Sequence, residues 1–240
     1  MVRTRRRSRA PRQLRENKAA WTRRWKEILT GERAGEWATR VAKAALREPL
    51  LALSHGKCAF CESRLGKDAY AQIEHYVSRK VDPDGAFKWG NLLPVCQICN
   101  TSKGHTDHGG ELLKPDQENP EPFFWIGPEG DIEPHPGQDE LGKRRASETI
   151  RLCNLQRGGL RESRYAVATA VKRWLQRASQ LDGLDEDIQH EWRDLSAPRF
   201  EHKLVVRHTL SQGNHPELAD EDRRRFQATG SSPAPSNRRM

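Results

Sequence analysis

Apolar residues recur along this chain at two different periods, and the changes of period divide it. From Leu14 to Leu53 they fall at near-helical spacing: Leu14, Trp21, Trp25, Ile28 and Leu29, then Trp37, Val41, Ala44 and Ala45. Residues three or four apart share a helix face, so this stretch predicts two helices, broken near Gly31. From Ala69 to Val77 the sequence alternates loosely and carries Tyr, Ile and Val, the pattern of a strand. Asp82-Pro-Asp-Gly85 reads as a turn, and Trp89 to Pro94 as a short extended piece. A helix is expected to include Asn100 and to end at Gly104. Gly130 to Pro134 reads as a turn between short extended pieces, flanked by the apolar run Phe123 to Ile126. Helical spacing returns near Lys143, with Leu152, Leu155, Leu160, Tyr165, Val167, Val171, Trp174 and Leu175 as a core stripe, and again with Ile188, Trp192 and Leu195.

The resulting division is a basic arm over residues 1–13, helices over 14–54, a compact unit over 55–108, a Pro- and Gly-rich connecting segment over 109–142, a helical region over 143–210, and a tail over 211–240 expected to be disordered. Only 35% of the 240 residues are hydrophobic and 31% are charged, so the core is modest and a small unit gains from a staple. The formal net charge of +9 favours a polyanionic partner, most simply nucleic acid. Residues 1–26 concentrate this charge, with eleven Arg or Lys against Glu16 alone. The arm has too few apolar residues for a core and is expected to be extended until it meets a partner, with Pro11 stopping any helix through it. Neither a signal peptide nor an apolar run of ~18 residues is seen, so no membrane contact is expected.

Five cysteines change the picture, because four of them form Cys58-x-x-Cys61 and Cys96-x-x-Cys99. Four thiolates in two such pairs close a tetrahedral zinc site with no position left for substrate, so this zinc is structural. That usage suits a reducing, cytoplasmic compartment better than a disulfide framework. Cys153, in an apolar run, is expected to be a buried thiol. The 34 residues between the pairs are many for a simple ribbon, and they carry Glu74-His75 and Asn91, while Asn100 directly follows Cys99. These residue types can hydrolyse a phosphodiester. His75 can take a proton from water, and Glu74 and Asn100 can offer oxygens to a hard cation, Mg²⁺ or Mn²⁺. Lys103, one helical turn past Asn100, is expected at a phosphate, with Arg79 and Lys80 as further nucleic-acid contacts. His105 and His108 are read as loop residues near the phosphate path, since four cysteines already saturate a zinc ion.

Glu74-His75, Asn91 and Cys96-x-x-Cys99-Asn100-x-x-Lys103 together resemble the HNH, or ββα-metal, nuclease motif in its zinc-stapled form, over about residues 55–104. The resemblance implies an α+β fold, with a small zinc-stapled ββα core embedded between mainly α-helical N- and C-terminal regions. It also implies that Asn91 holds the loop and orients His75 through a hydrogen bond. Asn100 stands where the name-giving pattern has His, and Glu74 where Asp is commoner. Longer stretches, Gly56 to Glu62, Ile73 to Lys80 and Trp89 to Cys96, resemble the HNH subunits of Septu-type and retron-associated anti-phage systems, with Tyr76 and Ser78 departing from the commoner Phe and Pro. That likeness implies a bacterial defence nuclease acting on DNA or, in some systems, tRNA, in complex with an ABC-type ATPase. This chain carries no Walker A motif of its own. The alternatives are a stand-alone HNH nuclease of a phage, mobile element or restriction system, and a zinc-dependent nucleic-acid-binding module without catalysis.

Overall fold

The structure is a computed structural model that describes residues 1, 4, 9–66, 71–179, 186–213, 218, 220–222 and 224. Helix α1 spans Arg12–Leu29 and begins directly after Pro11, which has no N–H to lose at a helix start. Helix α2 spans Arg40–Leu53 and is capped by Thr39, whose hydroxyl accepts from Ala42 N at 3.2 Å. The two helices bury Leu14, Trp25, Ala42, Leu46 and Leu50 in one core with Ala86, Phe87 and Leu92. Four apolar positions of the sequence stripe do not join it: Leu29 is 40% and Val41 66% exposed, Ala44 is exposed as well, and Ala45 is only half-buried outside this core. The inward face of α2 runs through Ala42, Leu46 and Leu50, four residues apart, and Val41 lies off that line.

Strand β1, Ala71–His75, pairs antiparallel with β2, Leu92–Cys96, in a register that sets His75 opposite Leu92 and Glu74 opposite Leu93. Residues 69 and 70 of the expected strand lie outside the described residues. Helix α3, Gln97–Lys103, follows β2 without a loop and starts earlier than the sequence suggested. Cys96 is its N-cap, with Sγ accepting from Cys99 N at 3.4 Å, so the second cysteine pair itself turns strand into helix. The unit is thus ββα, and the whole architecture is α+β.

A second, larger core joins this unit to the C-terminal part. It gathers the cysteines, Leu93, Val95, Leu112 and Leu113 with the hairpin of β3, Phe124–Ile126, and β4, Ile132–Pro134. Helices α4 (Glu140–Leu152), α5 (Gly158–Ser179), α6 (Glu186–Ser196) and α7 (Lys203–Gln212) complete it. On α5 the sequence stripe needs one correction, since Tyr165 is 53% exposed and Arg164 is buried. Arg164 takes the inward position because it can donate to two buried carbonyls, Leu155 O at 2.7 Å and Gly130 O at 3.3 Å. Gly130 has φ +85°, and a Cβ there would meet Arg161 O at 2.2 Å, so the hairpin turn approaches α5 only because this residue is glycine.

Within the arm, Met1 and Thr4 are not free but buried, and Thr4 N donates to Pro115 O at 2.8 Å. Asp222, in the segment read as a tail, is buried as well, bonded by Lys203 and by Arg207 Nε at 2.7 Å. Two buried cations on α7 need an anion, and this position supplies it. Residues 225–240 lie outside the described residues. No described helix is long and apolar enough to cross a membrane.

Candidate functional site

The Sγ atoms of Cys58, Cys61, Cys96 and Cys99 all lie within 4.8 Å of one another, and all four residues are buried. Sγ of Cys61 and Sγ of Cys96 are 3.7 Å apart. A tetrahedron with bonds of ~2.3 Å has edges of about 3.8 Å, so the donor set fits a zinc ion. The first pair sits in a turn pinned to β2 by Ala59 N donating to Pro94 O at 2.9 Å. Arg157, between α4 and α5, points its guanidinium at the cluster, with Nη1 3.8 Å from Cys99 Sγ and Nη2 3.8 Å from Cys96 Sγ. Sequence reasoning missed Arg157, because it lies far along the chain with no motif around it. Cys153 is a buried free thiol, and its carbonyl lies 3.5 Å from Cys99 Sγ.

Glu74 and His75 are consecutive on β1, so their side chains leave opposite faces of the strand. Glu74 faces α3. Its Oε1 lies 2.6 Å from Lys103 Nζ, and both side chains are buried. Burial pushes the Glu74 carboxyl up to about 7, against Lys103, which pulls it down. Lys103 also donates to His75 O at 3.0 Å. Its expected contact with a phosphate is therefore not what the structure places there, since the ammonium is fully enclosed and already neutralises a carboxylate. Asn100 sits partly buried on α3, one residue past Cys99 and one turn before Lys103.

His75 faces the N-terminal helices. Its ring stands nearly perpendicular to that of Trp37, at 85°, with centroids 4.6 Å apart. Nε2 lies 2.9 Å from Ala86 O, and a carbonyl only accepts, so Nε2 carries the proton. In the neutral ring Nδ1 then holds the lone pair, and Arg79 Nη1 lies 3.3 Å from it. Burial, and after it the Arg79 charge, holds the His75 pKa down at about 3. Arg79 is gripped between two rings, 5.4 Å from the Trp25 centroid and 5.3 Å from that of Trp37. Its Nε is buried and has no hydrogen-bond partner.

Asn91 does not bond to His75. Its side chain accepts from Val77 N at 2.8 Å and donates to Val77 O at 2.9 Å and to Gly85 O at 3.1 Å. It thereby closes the loop that presents Ala86 O, and so it orients His75 one step removed. Lys80 is exposed beside this loop. His105 Nδ1 lies 3.4 Å from Ser78 Oγ, whereas His108 packs on the Tyr76 ring with Nε2 2.9 Å from Tyr76 O. The structure thus joins Glu74 to Lys103 on one face of β1 and His75 to Arg79 on the other, sets Asn91 in the loop behind His75, and leaves the cysteine cluster as a support.

The family model described as HNH endonuclease matches residues 58–106, from the first cysteine to just past the end of α3. The chain is also similar to two curated proteins called Septu protein PtuB. One, from Bacillus thuringiensis, is 35% identical over 80 residues, which cover 32% of this chain and 31% of that protein. The other, from Bacillus mycoides (strain KBAB4), is 27% identical over 189 residues, covering 61% of this chain and 62% of that protein. The chain thus spans about a third of one relative and three-fifths of the other, and the longer alignment extends well beyond the HNH domain.

Proposed function

We propose that this protein is a divalent-metal-dependent endonuclease that hydrolyses phosphodiester bonds of nucleic acid, with DNA favoured over tRNA or other RNA. The observation that carries the reading is His75, held in the HNH domain with Nε2–H on Ala86 O and its lone pair at Nδ1. A neutral imidazole fixed in that way can take the proton of an attacking water. Its pKa of about 3 keeps it neutral at physiological pH. A phosphate that draws Arg79 away would raise its basicity when the proton has to move. Arg79 suits that part, because its Nε lacks an acceptor and a phosphate oxygen would provide one.

Glu74 and Asn100 would hold a Mg²⁺ or Mn²⁺ ion. Among the described residues the cysteine cluster is the sole grouping of three or more His, Cys, Asp or Glu positioned as metal ligands. Two protein oxygens are nevertheless in keeping with Mg²⁺, which keeps several waters and takes the remainder from phosphate. When bound, such a cation neutralises charge at the scissile phosphate and at the departing oxygen. Lys103 acts through Glu74 as a positioning residue.

From the likeness to Septu protein PtuB we further infer a role in anti-phage defence, in complex with an ABC-type ATPase. Trp37 and Arg79 cover His75, an arrangement that suits a site opened by a partner. The same burial, with Lys103 on Glu74, favours a second reading in which the domain binds nucleic acid without cutting it. The test is cleavage of plasmid, single-stranded DNA and tRNA in Mg²⁺ or Mn²⁺, by the zinc-loaded chain and by His75→Ala, each with and without the ATPase. Cleavage abolished by His75→Ala supports the nuclease, and dependence on the ATPase supports gating. No cleavage under any condition leaves the binding module.

A further inference from the structure

Between α2 and the outer edge of β1 runs a groove of about 440 Å³ that the HNH motif does not include. One wall is α2, which contributes Arg40, Lys43 and Arg47, spaced i, i+3 and i+7 on one helix face. The other is β1, with Gln72 and Ile73, and Trp37 also lines the groove. None of the described lining residues is acidic. Arg40 and Arg47 are exposed, and neither has an ion-pair partner among the described residues. Lys43 is paired with Glu36 outside the lining.

Two features orient this groove. Ile73 precedes Glu74 and His75 on the same strand, and Trp37 is the ring packed against His75. A ligand lying along Arg40 and Arg47 therefore reaches the cover of the general base. From Arg40 to Arg47 the helix rises about 10 Å, the axial reach of roughly three phosphates on one strand of B-form DNA. Cations along a groove with an aromatic ring beside them are the chemistry that tracks a nucleic-acid strand without reading its sequence.

We propose that the groove between α2 and β1 is the track along which one strand of nucleic acid approaches the site, with phosphates on Arg40, Arg47 and Lys43. This inference rests on the nuclease reading for its purpose, but its test is binding. An acidic protein surface would also suit three cations, but it would have no use for a Trp touching His75.

The experiment measures anisotropy of labelled single-stranded and duplex DNA over a salt series, using the full zinc-loaded chain on the His75→Ala background to prevent cutting. Arg40→Gln/Arg47→Gln is compared with Lys172→Gln/Arg173→Gln, which removes the same charge from exposed positions of α5. Loss of two phosphate contacts predicts a salt slope shallower by about 1.4 for single strands or 1.8 for duplex, a weakening of roughly 25- or 60-fold at 0.1 M salt. The control should move far less, and Arg40→Lys/Arg47→Lys should restore most of the slope. Unchanged binding, or an equal effect from the α5 pair, overturns the track. If binding instead survives and association with an acidic partner protein is lost, the groove is a protein dock. Cleavage by the His75-intact wild type, with and without the ATPase, is run beside these. Cleavage with unchanged binding removes the track and leaves the nuclease, whereas a binding defect without any cleavage leaves the track and removes the nuclease.

Discussion

Lys103→Met offers the sharpest check on how the site is held. Met keeps most of the apolar stem of a fully buried residue and removes only the ammonium, which lies 2.6 Å from Glu74 Oε1 and donates to His75 O at 3.0 Å. Glu74 is then a buried carboxylate without its cation. Its escape is to bind a proton, and this bounds the loss. Wild-type Glu74 titrates near 7. At pH 8.5 holding the proton costs about 1.4 kcal/mol per pH unit over the ~1.5 units between, or about 2 kcal/mol. The hydrogen bond to His75 O adds about 1 kcal/mol. The expected destabilisation is about 3 kcal/mol, at the lower end for breaking a buried pair. In urea, with zinc present, the midpoint should fall by roughly 1.5 M at an unchanged m of about 2 kcal/mol per M. Glu74→Gln in the same chain removes the stranded charge and should return about 2 kcal/mol. A single variant within 0.5 kcal/mol of wild type, or a double variant no more stable than the single, would refute the view that this pair carries the seat of Glu74.

Three further expectations concern other parts of the molecule. His202, whose Nε2 is 2.9 Å from Ser163 Oγ, is depressed by burial to about 4, so between pH 6.5 and 4 the unfolded chain binds the extra proton. Its contribution is full above 6.5 and lost as pH falls to about 4; His202→Asn, which tolerates the φ of +50° there, should flatten the pH dependence of the urea midpoint by about 3 kcal/mol across that window, and parallel curves would contradict this. Arg157→Ala leaves the thiolates without their facing guanidinium, and zinc transfer to a chromogenic chelator should show 10- to 100-fold weaker retention; equal retention would make the contact incidental. Asn91→Ala removes three hydrogen bonds that close the loop around Gly85 and should cost about 3 kcal/mol in thermal or urea unfolding with zinc still bound. A loss below 1 kcal/mol would show that Ala86 O is held by other means.

The cysteine spacing, the Glu-His pair and the change of period around them were legible because each is a local pattern. Two x2 cysteine pairs make a tetrahedral site whatever surrounds them, and strand alternation sends Glu74 and His75 to opposite faces. Helix positions followed the apolar spacing, apart from Leu29, Val41, Ala44, Ala45 and Tyr165, where spacing names a face but not which neighbour covers it. Tertiary structure decided what each side chain of the site meets. Lys103 reads in sequence as a cation one turn past Asn100, and only the packing of α3 on β1 turns it inward onto Glu74. Arg79 reads in sequence as a nucleic-acid contact, and only the approach of α1 and the segment before α2 clamps it between Trp25 and Trp37 at Nδ1 of His75. Arg157 meets the thiolates across 58 residues of chain. The physical reason is the same in each case: metal-ligand spacing and periodicity are properties of neighbouring residues, whereas the charge state and orientation of a buried group depend on elements that meet it only after the chain has folded.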